Sequence, residues 1–298
     1  MHYQILLFYK YTPIDSPEAL KTTCKTLCEK YSLKGRVLIA AEGINATLEG
    51  EYSATEQFLA ELLQDERFLD MDIKRSKGTG DAFPKLSVKV RNEIVGTRFP
   101  KEIDPTKATG KYLSADELRT WYEEDRDFVV VDMRNSYEFA SGHFRKSIDP
   151  GMVASRELPQ VLDTIRKATE GKTILTVCTG GVRCEKMSAY LLHNGFENVY
   201  QLHGGMHTYM EKYPGKDFLG TLFTFDNRLV MDFGGDREIV GRCKRCDATT
   251  EQYHNCKRPE CNMLFLVCGA CFAREGAGFC SDLCHGLHVE KVPLEHAS

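Results

Sequence analysis

The chain has 298 residues, 42% of them hydrophobic, with 39 Lys and Arg against 43 Asp and Glu for a formal net charge of −4. That length suggests two domains or three small ones, no apolar run approaches the ~20 residues of a membrane span, and a net-acidic chain binds nucleic acid only through a local basic patch. The N-terminal stretch lacks a basic region followed by a cleavable apolar segment, so no signal peptide is expected, and the twelve cysteines are read as those of a cytosolic protein.

Residues 2–94 alternate strand and helix signals. Residues 3–9 are apolar and aromatic and predict a strand; Ser16, Pro17 and Glu18 then open a helix that runs to about Tyr31. Residues 36–41 predict a buried strand, Gly43 a turn and 44–48 another strand. A helix follows over 53–63, then strands over 71–76 and 86–90. The order βαββαβ plus an extra strand predicts a ferredoxin-like, acylphosphatase-like α+β domain over residues 1–103. Cys24 and Cys28, four apart on the first helix, read as core thiols. Lys74, Arg75, Lys77, Lys85, Lys89 and Arg91 crowd eighteen positions, followed by Arg98 and Lys101 and interrupted by Asp72, Asp81 and Glu93. They are either a solvated strand face or a phosphate-tracking patch. In the second reading Lys74, Arg75 and Lys77 are candidate nucleic-acid contacts, with Phe83 and Phe99 as stacking groups.

Residues 104–110 are polar and turn-rich, a linker. A second domain, α/β with a parallel sheet, is expected over 111–215. Ser114 and Glu117 form a capping box before a helix carrying Leu118, Trp121 and Tyr122. Residues 128–131 are all apolar, as in a strand covered on both faces, and 174–177 and 199–202 supply two more parallel candidates. The strand ending at Val177 runs into Cys178-Thr179-Gly180-Gly181-Val182-Arg183-Cys184, which feeds a helix. An isolated strand-end cysteine is ordinarily core. Here the glycine pair lets the backbone curl around the sulfur. Loop N–H groups, the helix dipole and Arg183 all favour thiolate over thiol. Cys178 is the candidate nucleophile, Thr179, Gly180, Gly181 and Val182 the candidate substrate-binding loop, and Arg183 and Cys184 its catalytic companions.

The third unit, 216–298, is loop-rich and then cysteine-rich. Cys243 and Cys246, Cys256 and Cys261, Cys268 and Cys271, and Cys280 and Cys284 make four closely spaced pairs. Such spacing is that of thiolate zinc ligands, and eight sulfurs suffice for two structural ions with no open position. Pairing is sequential or cross-braced. The cross-brace is favoured, with Cys243, Cys246, Cys268 and Cys271 at one metal; His254, His285 or His288 is a substitute ligand in either site. An iron–sulfur cluster usually needs only four cysteines.

On Val131-Asp132-Met133-Arg134, Glu138, Gly142-His143-Phe144, the loop 178–184, Gly195-Phe196-Glu197-Asn198-Val199-Tyr200 and Leu202-His203-Gly204-Gly205, residues 113–214 resemble the rhodanese sulfurtransferases. The resemblance implies that Cys178 carries sulfane sulfur as a persulfide and that Arg183 and the loop N–H groups cradle an anionic substrate. It makes Asp132, Arg134 and His143 structural ties. With Ala41-Glu42-Gly43-Ile44-Asn45-Ala46-Thr47-Leu48 and the cysteine-rich tail added, the whole chain resembles the TrhO family, tRNA uridine hydroxylases of the rhodanese superfamily. Ordinary rhodaneses lack Cys184 and the flanking domains. The resemblance implies tRNA as partner, 5-hydroxyuridine at wobble position 34 as product and molecular oxygen as co-substrate. Thiolate addition at carbon 6 of uracil activates carbon 5, and Cys184 is placed to resolve an oxidised Cys178 by disulfide formation. No flavin fingerprint, two-His-one-carboxylate spacing or haem motif accompanies them. The alternative is a sulfurtransferase acting through a Cys178 persulfide. A non-catalytic RNA-binding scaffold would place no demand on that cysteine.

Overall fold

The computed structural model describes residues 3–100, 103–236, 238–274, 276 and 278–289; Lys101 and residues 290–298 of the expected third unit lie outside them. The first sheet is built from β1 (Tyr3–Tyr11), β2 (Lys34–Ala40), β3 (Gly43–Glu51), β4 (Ile73–Lys77) and β5 (Leu86–Val90) in the order β4-β1-β3-β2-β5. All its pairs are antiparallel except β2 with β5. Helices α1 (Pro17–Lys30) and α2 (Tyr52–Leu62) cover one face, where Leu6, Phe8, Ile39 and Leu48 meet Leu20, Phe58 and Leu59. Cys24 and Cys28 lie in this core, and burial pushes both thiols up to about 12. Successive strand residues point to opposite faces. Leu7, Tyr9, Leu38, Asn45 and Thr47 therefore stand on the face without helices, and that face roofs the cavity described below.

The strand order divides the basic residues between two edges. β4 and β5 are opposite edges of the sheet, roughly 19 Å apart at the usual strand spacing. Lys74, Arg75 and Lys77 are thus parted from Lys85, Lys89 and Arg91. Lys74 sits opposite Leu7 in the ladder, so it points inward; it is 4% exposed and holds Asp72 at 2.6 Å. Arg75 is exposed but paired with Glu56, and Lys77 is exposed. Phe83 and Phe99 are buried, Phe99 against Tyr190. Residues adjacent in sequence form no continuous phosphate track.

The second unit is a five-stranded parallel sheet of β6 (Lys111–Leu113), β7 (Phe128–Asp132), β9 (Ser147–Ile148), β10 (Thr173–Val177) and β11 (Val199–Leu202), ordered β6-β11-β10-β7-β9. The edge strands β6 and β9 are too short to show a periodic signal in the sequence. Helices α5 (Leu158–Ala168) and α6 (Val182–His193) cover one face. Helices α3 (Ala115–Glu123) and α7 (Gly205–Lys212) cover the other. This is why every residue of β7 is buried. The capping box of Ser114 and Glu117 is formed. The short helix α4 (Ser136–Phe139) and strand β8 (Gly142–Phe144) follow β7. Between them the fully buried Arg134 ties Asp132 to the Gly142 carbonyl, and His143 stacks on Phe139.

The C-terminal unit joins by strand pairing. β12 (Phe218–Gly220) pairs with β8, and β13 (Leu222–Phe223) with β14 (Val230–Met231). The hairpin of β15 (Tyr253–Asn255) and β16 (Leu264–Leu266) and the helices α8 (Gly269–Phe272) and α9 (Asp282–Val289) carry the cysteine-rich part. Tyr253 donates its hydroxyl proton to the Tyr137 carbonyl on α4 and packs on Phe223, which docks this unit beside the nucleophile-bearing loop. Among the described residues no helix is long and apolar enough to cross a membrane.

Candidate active site

Cys178 follows β10 directly, and its loop wraps into the N-terminus of α6. Gly181 caps that helix at φ +102, a conformation that only glycine takes without strain, and a Cβ there would lie 2.7 Å from the Tyr9 hydroxyl. The Gly181 N–H donates to the Cys178 sulfur at 3.2 Å. The first two peptide groups of α7 hold the other side of the loop: Met206 N–H donates to the Cys178 carbonyl and His207 N–H to the Thr179 carbonyl. Burial alone would raise the Cys178 thiol. A hydrogen bond from Cys184, the Arg183 charge and the backbone N–H groups outweigh it and bring the thiol down to about 6. Burial and the neighbouring Cys178 push Cys184 far the other way, so it remains the protonated donor of the pair.

The pair sets a pH dependence. The Cys178 thiolate is present above pH ~6 and is lost as pH falls through that value, whereas an ordinary cysteine ionises near ~8.5. Alkylation of the Cys178 peptide, followed by mass spectrometry from pH 5 to 9, should rise through about 6 and be flat by about 7.5. A midpoint near 8.5 would mean that the loop does not stabilise the anion.

Arg183 was expected to cradle substrate. The structure pairs it instead with Glu138, bidentate at 2.6 and 2.9 Å, and with the Thr179 hydroxyl at 3.0 Å. Burial opposes its charge, but Glu138 overrides burial and keeps it protonated. Most of that charge is thus already answered by a buried carboxylate, and Arg183 acts on the loop as a brace as well as a field. Its guanidinium still faces a cavity of about 340 Å³ at the junction of all three units. Leu7, Tyr9 and Asn45 come from the first unit, Thr179, Gly180 and His207 from the second, and Phe225 and Arg228 from the third. Cys178 is fully buried and is not itself a lining residue, whereas Thr179 and Gly180 next to it in the loop are. His207 is 3% exposed with no hydrogen-bond partner at Nδ1, and burial lowers it to about 4, so the ring that lines the cavity is neutral.

Three domain families match the chain in order: a UPF0176 acylphosphatase-like domain at residues 3–94, a rhodanese-like domain at 114–212 and a rhodanese C-terminal domain at 219–285. A tRNA uridine(34) hydroxylase of Staphylococcus aureus (strain MRSA252) is 43% identical over 270 residues, 90% of this chain and 85% of that protein. The chain belongs to the tRNA uridine(34) hydroxylase family. The corresponding protein of Staphylococcus haemolyticus (strain JCSC1435) is 42% identical over 90% of this chain and 84% of its own. A crystallised rhodanese-like domain protein of Staphylococcus aureus is 27% identical and covers 33% of this chain and 90% of its own, with a TM-score of 0.28.

Residues 41–48 and the nucleophile-bearing loop with the start of α6, 178–186, touch each other in the fold. Lys186, 4% exposed, bridges Glu42 at 2.8 Å and Glu93 at 3.1 Å on the first unit. Its neighbour Glu185 is also buried and accepts hydrogen bonds from Tyr9, Tyr112 and Gln201. Tyr11 donates to the Val182 carbonyl. The first domain is therefore clamped onto the start of α6, with Leu7 and Tyr9 resting on the loop glycines. Sequence reasoning missed Glu138, Glu185 and Lys186 as site-forming residues. Glu138 stands only among the marks of the rhodanese resemblance, with no partner assigned, and the roles of Glu185 and Lys186 depend on partners distant in the chain.

In the third unit the thiols gather into two sets, Cys243, Cys246, Cys268 and Cys271, and Cys256, Cys261, Cys280 and Cys284, each with its sulfurs within 4.8 Å. This is the interleaved arrangement. Sulfur separations of 3.7 Å (Cys246 to Cys268) and 3.6 Å (Cys261 to Cys280, Cys280 to Cys284) match the ~3.8 Å edge of a tetrahedron with 2.3 Å metal–sulfur bonds. Both donor sets fit a tetrahedral metal ion. His254 stacks on Phe272, and His285 and His288 pack on Phe279, so these histidines stand outside both sets.

Proposed function

We propose that this chain hydroxylates uridine 34 of tRNA to 5-hydroxyuridine, with Cys178 as nucleophile and molecular oxygen as co-substrate. The observation that carries the reading is a thiol brought down to about 6 whose loop neighbours Thr179 and Gly180 line a cavity walled by all three units of the family. A volume of about 340 Å³ lies at the small end of ligand sites, fit for one splayed-out base and not for a duplex. In this scheme the Cys178 thiolate adds to carbon 6 of the uracil and carbon 5 gains carbanion character, where oxygen enters. Loss of the carbon-5 proton and expulsion of the thiolate restore the ring. Cys178 and Cys184 supply two electrons by closing to a disulfide. Uridine, dioxygen and the dithiol then yield 5-hydroxyuridine, water and the disulfide, which a cellular thiol reduces. Domains at 1–103, 111–215 and 216–298, two structural zinc ions in the cysteine sets and a cytosolic setting complete the proposal.

Incubating metal-loaded protein with unmodified tRNA under heavy-isotope dioxygen, followed by accurate-mass nucleoside analysis, tests it. The expected product is labelled 5-hydroxyuridine at position 34. Thiolated uridine, or brisk thiosulfate turnover with uridine unchanged, would instead assign the chain to sulfur transfer.

A further inference from the structure

The small cavity adjoins a second, larger cleft of about 640 Å³, and the two share Arg36, Phe83, Thr224, Phe225 and Asp226. The outer cleft unites features that the chemistry at Cys178 does not use. Phe225 is 49% exposed, Val153 53% and Met263 39%, an apolar surface left open beside the amides of Asn255 and Asn262. The cations around both cavities are otherwise committed. Arg183 is bound to Glu138, and Arg228 holds Asp226 through two contacts of 2.7 and 2.8 Å. Asp226 is thereby buried and neutralised, and does not repel an anion. Arg36 is the exception: it stands exposed on β2 where the two cavities meet, and its side chain has no hydrogen-bond or ion-pair partner among the described residues.

An exposed aromatic face, side-chain amides and one uncommitted guanidinium are the groups that hold single-stranded RNA. The ring stacks a base, amides meet base edges and the cation takes the phosphate. We propose that this outer cleft is the subsite for the nucleotide adjoining the target uridine, with Phe225 stacking on its base and Arg36 gripping the phosphate between the two. The inference rests on the inner cavity as the seat of the uridine. It makes the tRNA contact local to the anticodon loop and supplies a phosphate contact that the divided basic strands do not. Phe225 also lies 5.7 Å from the Arg183 guanidinium, so the stacking platform touches the brace of the nucleophile loop.

The test is binding without turnover: fluorescence anisotropy of a labelled five-nucleotide RNA centred on uridine, with full-length metal-loaded protein under argon. Phe225→Ala is expected to weaken binding about 5- to 150-fold, and Phe225→Tyr, which keeps the ring, to stay within about threefold of wild type. An abasic site beside the uridine should erase the difference between wild type and Phe225→Ala. Arg36→Gln should flatten the salt dependence of the logarithm of the binding constant by about 0.7. Unchanged affinity and slope in both variants, or an equal Phe225→Ala loss with the abasic RNA, overturns the proposal. Hydroxylation that proceeds normally in those same variants removes the cleft alone; intact cleft binding without hydroxylation removes only the enzymatic reading.

Discussion

Cys178→Ser is expected to lower hydroxylation of tRNA by more than about 10³-fold while leaving the fold and the tRNA affinity close to wild type. The substituted atom is small and buried, and a serine hydroxyl still meets the Gly181 N–H and the Cys184 thiol that now surround the sulfur. What disappears is the anion. A thiol brought down to about 6 is largely ionised at neutral pH, whereas the hydroxyl is not, and only the anion adds to carbon 6 of a uracil. Cys184→Ser separates the two sulfurs. It keeps the nucleophile and removes the partner whose oxidation balances the reduction of dioxygen, so turnover should depend on added thiol far more steeply than in wild type. Nucleoside mass analysis, a tRNA binding curve and a thermal melt on each variant read the three effects separately. More than a tenth of wild-type turnover in Cys178→Ser would take the nucleophile assignment away.

The contrast between what the sequence disclosed and what it concealed follows the range of the interactions. The nucleophile loop is a local object: a buried strand, a cysteine, two glycines and a helix start lie within a dozen positions, and each constrains the next. The cysteine pairs are equally local, and their spacing announces thiolate sites before any fold is known. Glu185 meets Tyr9 across 176 positions and Lys186 meets Glu42 across 144, and nothing near either residue marks it as buried. Arg36 looks like any exposed strand residue, and its place at the mouth of the cavity follows only from the docking of the open sheet face onto α6. The basic residues at 74–91 show the opposite case. Proximity along the chain suggested one patch, and a strand order that sends β4 and β5 to opposite edges divides it.

Removing the metal should unfold the cysteine-rich unit and spare the rest. Its buried cluster consists of Cys243, Cys256, Cys271, Cys280 and Cys284 with only Phe265, Val267 and Phe279 as true hydrophobes, so the ligands themselves make up most of the core. Structural zinc in small modules contributes an apparent ~10–16 kcal/mol, as much as the whole stability of a typical domain, and three hydrophobic side chains at ~1.5–3 kcal/mol each do not replace it. A strong chelator should therefore release two ions per chain and open new protease sites between residues 243 and 284. The rhodanese-like sheet, which carries its own apolar clusters on both faces, should keep its melting transition. RNA affinity should fall with the metal, because Asn255 and Met263 on the outer cleft and Tyr253, which anchors the unit to Tyr137 of α4, belong to the unfolding unit. The interleaving adds a sharper expectation. Cys268→Ser strips one donor from the set that includes Cys243 and Cys246 and none from the other, so metal content should drop from two ions to one, with cleavage appearing near residue 246 as well as near 268. In a sequential arrangement the first knuckle would stay protected. Protein that is metal-free as purified and still resists proteolysis across 243–284 would show that packing alone holds this unit together.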